Sequence, residues 1–190
     1  MTPFNSDGAT YSPMEATDQN LDTFCQEQFC GDYKNDNGIH SITTENIKVP
    51  KVFRNQIRYD ANERLFFKPD GSPVGGITID YNNRLSDILI PAKVFDYGKT
   101  FLFENVGHEI IHSYHHAFVG ASGLSASLKT AATEYGANRW NAESYRALGM
   151  TKSSDAFYGY AQNYLKVLGK SFNKNPYNYV NIPNFPLTPR

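Results

Sequence analysis

In the run His108-Glu109-Ile110-Ile111-His112, two imidazoles stand four positions apart with a carboxylate beside the first. On a helix of about 3.6 residues per turn, four positions are one turn, so both rings fall on one face. Their nitrogens can then share one Zn²⁺ at roughly 2.0–2.1 Å each. Glu109 sits beside that face, not on it. It is placed to take a proton from a water that zinc acidifies, and not to ligate. This is the His-Glu-x-x-His pattern of zinc hydrolysis. Chance would put it in about one chain in 200 of this composition, so it is specific, yet it needs a helix and a third ligand to act.

Glu134 is the candidate third ligand. It follows His112 by 22 residues, and a helical hairpin turning at Gly120–Gly123 would return it to the level of the histidines. Ala131, Ala132, Gly136 and Ala137 would let the two helices approach. Glu143 is the rival, nine positions further and so on the opposite side of the same helix. Asn138, one turn beyond Glu134, could hydrogen-bond the free nitrogen of a ligand histidine and fix its tautomer. His115 and His116 rise too far along the axis from His108 to share its metal, roughly 10 Å for His115. They are left as outer or substrate-facing residues. Tyr135, Tyr145, Tyr158, Tyr160, His115 and His116 are the candidates to donate to a developing oxyanion, and spacing does not choose among them.

These residues need elements to hold them. Lys99–Val119 has no proline and carries apolar residues on more than one face, as a buried central helix does. Ser125–Leu148 reads as a second helix with Ser125 or Ser127 as cap, and Asp155–Leu168 as a third, capped by Ser153 or Ser154. Before them, Ile39–Ile42, Val52–Tyr59, Gly75–Asp80 and Ile88–Ile90 read as short strands, separated by turns at Lys68–Pro73 and Tyr81–Asn83. A few strands followed by three main helices predict an α+β domain with a small N-terminal sheet over residues 37–174. A strand near Gly75–Asp80 or Ile88–Ile90 could offer an edge to an extended peptide. Residues 1–36 read as a polar linker or extension, and residues 175–190 as a proline-rich extended tail. Cys25 and Cys30 are equally compatible with a local disulfide and with two free thiols.

Composition narrows the partners. Lys and Arg total 18 against 19 Asp and Glu, a formal charge of −1. Nothing in this near-neutral balance favours a nucleic-acid or anionic-membrane binder. No apolar run is long enough to span a bilayer, and the N-terminus lacks the basic-then-apolar order of a signal peptide. Three function classes stay open: a zinc peptidase, a non-proteolytic zinc amidase or deamidase, and a catalytically inert binding module.

The pairing of His108-Glu109-Ile110-Ile111-His112 with Thr133-Glu134-Tyr135-Gly136-Ala137-Asn138 resembles the gluzincin branch of zinc metallopeptidases. Those take two histidines from the first motif and a glutamate from the following helix. Thermolysin-like members carry an aspartate four residues after that glutamate, where this chain has Asn138. From Gly75 to Gly149, 75 of 190 residues, the chain is also similar to the small metallopeptidase domains that end bacterial polymorphic toxins, including those following rearrangement-hotspot (RHS) repeats. That stretch includes Leu89-Ile90-Pro91-Ala92-Lys93-Val94-Phe95. The resemblance implies a compact zincin-like fold and Zn²⁺ held by His108, His112 and Glu134. It further implies Glu109 as the base, a peptide or protein substrate, delivery by a larger carrier and an immunity protein as neutralising partner.

Overall fold

The computed structural model describes residues 14–29, 31–119, 125–169 and 185–190. The chain enters through α1 (Asp18–Gln28), where Thr17 Oγ1 accepts from Asn20 N at 3.1 Å. Leu21, Phe24, Cys25 and Gln28 form its buried stripe. A short α2 (Tyr33–Asn37) ends at Gly38, whose φ of +68° favours glycine and whose missing Cβ would lie 2.4 Å from Ala117 Cβ. The linker expected over residues 1–36 is therefore corrected from residue 18 onward: α1 and α2 build part of the main core. The stripe has helical spacing, but it spans only three turns and is diluted by polar neighbours. Residues 1–13 and Cys30 lie outside the described residues. Cys25 is a buried free thiol whose pKa burial pushes up.

Two three-stranded sheets follow. Strands β1 (Ile39–Thr43), β6 (Ser86–Leu89) and β5 (Ile77–Asp80) make the first, in the order β1-β6-β5, with β1 parallel and β5 antiparallel to β6. Among the described residues, strand β5 is therefore an edge. The second sheet is an antiparallel meander of β2 (Arg58–Asp60), β3 (Leu65–Phe67) and β4 (Pro73–Val74). Phe66, Ile77, Ile79 and Leu89 pack the two sheets together. The expected strand over Val52–Tyr59 is instead a 3₁₀ turn at Lys51–Phe53 followed by β2.

Three long helices complete the fold: α3 (Lys99–Tyr114), α4 (Ala126–Ala147) and α5 (Thr151–Leu168). Helix α3 is central and buried on several faces, with Leu102, Phe103, Val106, Ile110 and Ile111 fully enclosed. It passes into one π turn at His115–Val119. Ser125 caps α4 by accepting from Leu128 N. Helix α5 starts four residues earlier than expected. Ser154 does not cap it, because its hydroxyl donates to Ala142 O at 2.8 Å.

Close approach of α3 and α4 depends on Gly107. A Cβ there would stand 2.2 Å from the Trp140 ring. Ala137 shares that interface, whereas Ala131 and Ala132 face α5 with Tyr135, Ala161 and Leu168. The last described residues are packed rather than free. Phe185 stacks on Phe29 and meets Trp140 edge-on, and Trp140 Nε1 donates to Pro186 O at 3.2 Å. Residues 185–190 form neither helix nor strand, and they pack against the core. Residues 170–184 lie outside the described set. Among the described residues no helix is long and apolar enough to cross a membrane.

Candidate metal centre

Helices α3 and α4 bring His108, His112 and Glu134 together. His108 Nε2 lies 3.1 Å from His112 Nε2 and 3.7 Å from Glu134 Oε2, and His112 Nε2 lies 3.8 Å from Glu134 Oε1. A tetrahedral Zn²⁺ with bonds of roughly 2.0–2.1 Å needs its ligand atoms about 3.3 Å apart. The observed separations bracket that value, so the donor set fits a zinc ion in both chemistry and size. Burial, with the His108 ring close by, holds the His112 pKa well below its usual value, which keeps the His112 ring neutral as a ligand must be. Glu143 points elsewhere, paired with Arg139 at 3.0 Å.

Glu109 is buried against strand β5. Thr78 Oγ1 lies 2.8 Å from Glu109 Oε2 and 3.0 Å from its backbone O, and donates its single proton to one or the other. Gly76, at the entry to β5, presses against the same side chain: a Cβ there would meet Glu109 Cγ at 2.7 Å. Burial raises the Glu109 pKa to about 7, with Glu134 and Asp80 adding to the rise and His108 and Thr78 opposing it.

The amide that meets His108 is Asn141, not Asn138. Asn141 Oδ1 stands 2.6 Å from His108 Nδ1. Asn141 Nδ2 donates to Glu104 Oε2 at 2.7 Å and to Glu104 O at 3.2 Å, and Ser144 Oγ donates to Glu104 Oε1. Burial raises the Glu104 pKa to about 7 against the pull of those bonds. Asn138 instead donates to Glu134, to its backbone O at 2.8 Å and to Oε2 at 3.1 Å. The reason is geometric: seven residues are two full turns, and only the position two turns beyond Glu134 reaches the His108 level of α3.

These groups open on a cleft of about 880 Å³. Strand β5 and the β3–β4 turn form one wall, and α4 and α5 form the other. Asp80, Glu104, Glu109 and Glu134 line it against one base, Lys68, so the cleft is acidic and suited to a cation. Of the expected oxyanion donors, Tyr145 and Tyr160 line the cleft. Tyr135 is corrected: it is 1% exposed in the α4–α5 core. His115 is also corrected, being buried beside Tyr114. His116 contacts Tyr81 O and Asp80 at the end of β5, and Tyr158 stacks under Arg139. Tyr164, absent from the sequence candidates, lines the cleft, and burial plus the Glu134 charge raises its pKa. Compared with family models, with curated proteins and with solved structures, the chain matches none at a significant level.

Proposed function

We propose that the chain is a zinc-dependent hydrolase that cleaves peptide bonds. The observation that carries this is the convergence of two Nε2 atoms and a carboxylate from two helices, all within 4.8 Å of one another, beside a separately held Glu109. A zinc ion bound there would polarise the scissile carbonyl and lower the pKa of a water. Glu109 accepts the proton of the attacking water and passes it to the leaving amine. Its raised pKa suits both roles near neutrality. Thr78 Oγ1, 2.8 Å from Glu109 Oε2, holds the carboxyl group in place beside the histidines. Tyr145, Tyr160 and Tyr164 line the cleft and are the candidate donors to a developing oxyanion.

The edge position of β5 favours a peptide over a small amide. Ile77–Asp80 line the cleft, so an extended segment can add as a further strand and lay a carbonyl beside Glu109. Resemblance to toxin domains extends the proposal to delivery by a larger carrier and to a neutralising partner that covers this cleft.

Zinc content of the metal-replete protein and cleavage of an unstructured protein substrate test the reading. We expect one zinc per chain, proteolysis in the wild type, and loss of proteolysis with zinc retained in Glu109→Gln. Absence of zinc, or equal cleavage by that variant, refutes it.

A further inference from the structure

We infer that Glu104 is a positioning residue: acting through the Asn141 amide, it keeps the His108 proton on Nδ1 and turns Nε2 toward His112 and Glu134. The placement is specific. Glu104 is 2% exposed and lies one helical turn before His108 on α3. A carboxylate is costly to bury, and both of its donors, Ser144 and Asn141, are neutral side chains of α4. Packing alone would be served better by a leucine or methionine at this position.

The hydrogen bonds run in one direction. Asn141 Nδ2 meets the Glu104 backbone O at 3.2 Å, which only accepts, and the carboxyl oxygen Oε2 at 2.7 Å. The amide is therefore oriented with Oδ1 toward His108. Because Oδ1 only accepts, the His108 Nδ1 at 2.6 Å must carry the proton. A neutral ring protonated on Nδ1 has its lone pair on Nε2, the atom 3.1 Å from His112 Nε2. Reversing the Asn141 amide would invert the chain and put the proton on Nε2, where it blocks ligation. One Glu104 oxygen accepts from Asn141 whether the acid is neutral or ionised, so the device does not depend on its charge. Outer partners of ligand histidines are commonly carboxylates or carbonyls in direct contact. Here the carboxylate acts one residue removed.

The zinc readout rests on the hydrolase reading; the tautomer readout does not. Long-range ¹H–¹⁵N correlation spectra of the full, metal-free chain report which His108 nitrogen is protonated, and competition with a chromophoric chelator reports zinc affinity. Wild type should show His108 protonated on Nδ1 alone. Glu104→Met removes both acceptor oxygens and leaves only the weaker backbone carbonyl. It should show both tautomers and lose roughly 10–100-fold in zinc affinity. Glu104→Gln can still turn an oxygen to Asn141 and its amide to Ser144. It should keep the wild-type tautomer, with zinc affinity within about threefold. A Glu104→Met protein with His108 wholly on Nδ1 overturns the inference, as does equal loss in the Gln and Met variants. If Glu104→Met does not fold, Asn141→Leu decides: a pure Nδ1 tautomer there overturns the inference, and a mixture supports it. If the wild type binds no zinc, the hydrolase reading fails while the spectra still decide this one.

Discussion

Gly76→Ala isolates the contact that aims Glu109. The added Cβ would stand 2.7 Å from Glu109 Cγ, 3.1 Å from Cδ and 3.0 Å from Oε1, where ordinary contact is 3.4–4 Å. Relief thus requires a movement of about 1 Å. Cγ is close to the backbone of a buried helix, and the far end of the side chain is held by Thr78. Neither yields cheaply, so either β5 lifts away from α3 or the carboxylate leaves its place. A misplacement of about 1 Å at a reacting group can cost roughly 100-fold in rate, equivalent to about 3 kcal/mol of barrier. The three atoms nearest the new methyl all belong to Glu109, so zinc content should change little.

Gly75→Ala is the matched control. Its Cβ would clash harder on paper, 1.7 Å from Asn105 Oδ1. That atom is the tip of a side chain able to swing outward, losing the Asn105 Nδ2 bond to Phe101 O at 2.7 Å. The cost is about 1 kcal/mol of stability, with little change in rate. The assay is kcat/KM on a quenched fluorogenic peptide mixture, with zinc measured on the same samples. A Gly76→Ala variant within about threefold of wild type would refute the idea that the strand's approach fixes Glu109 for the proposed reaction. Equal losses in both variants would refute the distinction between them.

Glu134→Ala should weaken zinc binding beyond the roughly 10–100-fold expected of an outer partner, while Glu143→Ala should leave it unchanged; chelator competition measures both, and the reverse order would displace Glu134 from the site. Glu104 and Glu109 have folded pKa values of about 7 against an ordinary 4.5, so the folded state holds protons that the unfolded chain releases. The contribution of these two carboxyls to the stability of the metal-free protein is then fullest below about pH 4.5 and is lost as pH rises through 7, while the depressed His112 pKa works in the opposite direction on the acid side. Urea unfolding at pH 5 and pH 8 checks this, and Glu109→Gln should flatten part of the slope. Phe185→Ala should cost about 1–3 kcal/mol in the same unfolding assay, because it removes the ring between Phe29 and Trp140.

The convergence of His108, His112 and Glu134 was legible because its geometry is mostly intrinsic to helices. Four residues make one turn regardless of the rest of the fold, which puts His108 and His112 on one face. A hairpin of two helices then leaves few positions for a third ligand, and Glu134 is one of them. The α+β class was legible for a similar reason, since β-branched runs precede long proline-free segments. What failed were the contacts set by rotation about a helix axis. Tyr135 neighbours Glu134 in sequence but is turned about 100° away, into the α4–α5 core. Asn138 lies one turn beyond Glu134, but the contact with His108 is made two turns beyond it, by Asn141. Strand β3 and β4 carry too few residues, three and two, to show a period.

The contacts missed from sequence share one property that sequence does display. Helix α3 is apolar on several faces, as its buried Leu102, Phe103, Val106, Ile110 and Ile111 require. Yet two glutamates, Glu104 and Glu109, are buried in the same helix, at 2% and 7% exposure. A carboxylate in such a setting opposes burial unless something specific answers it. Each is answered from a different element: Asn141 and Ser144 of α4 for Glu104, Thr78 of β5 for Glu109. Local propensity and patterning disagree with the fold at both acids, which lie on either side of His108. The partners could not be named before the packing of α3 against α4 and β5 was known. That partners had to exist was already implied by two acids in an apolar helix, five residues apart, one on each side of His108.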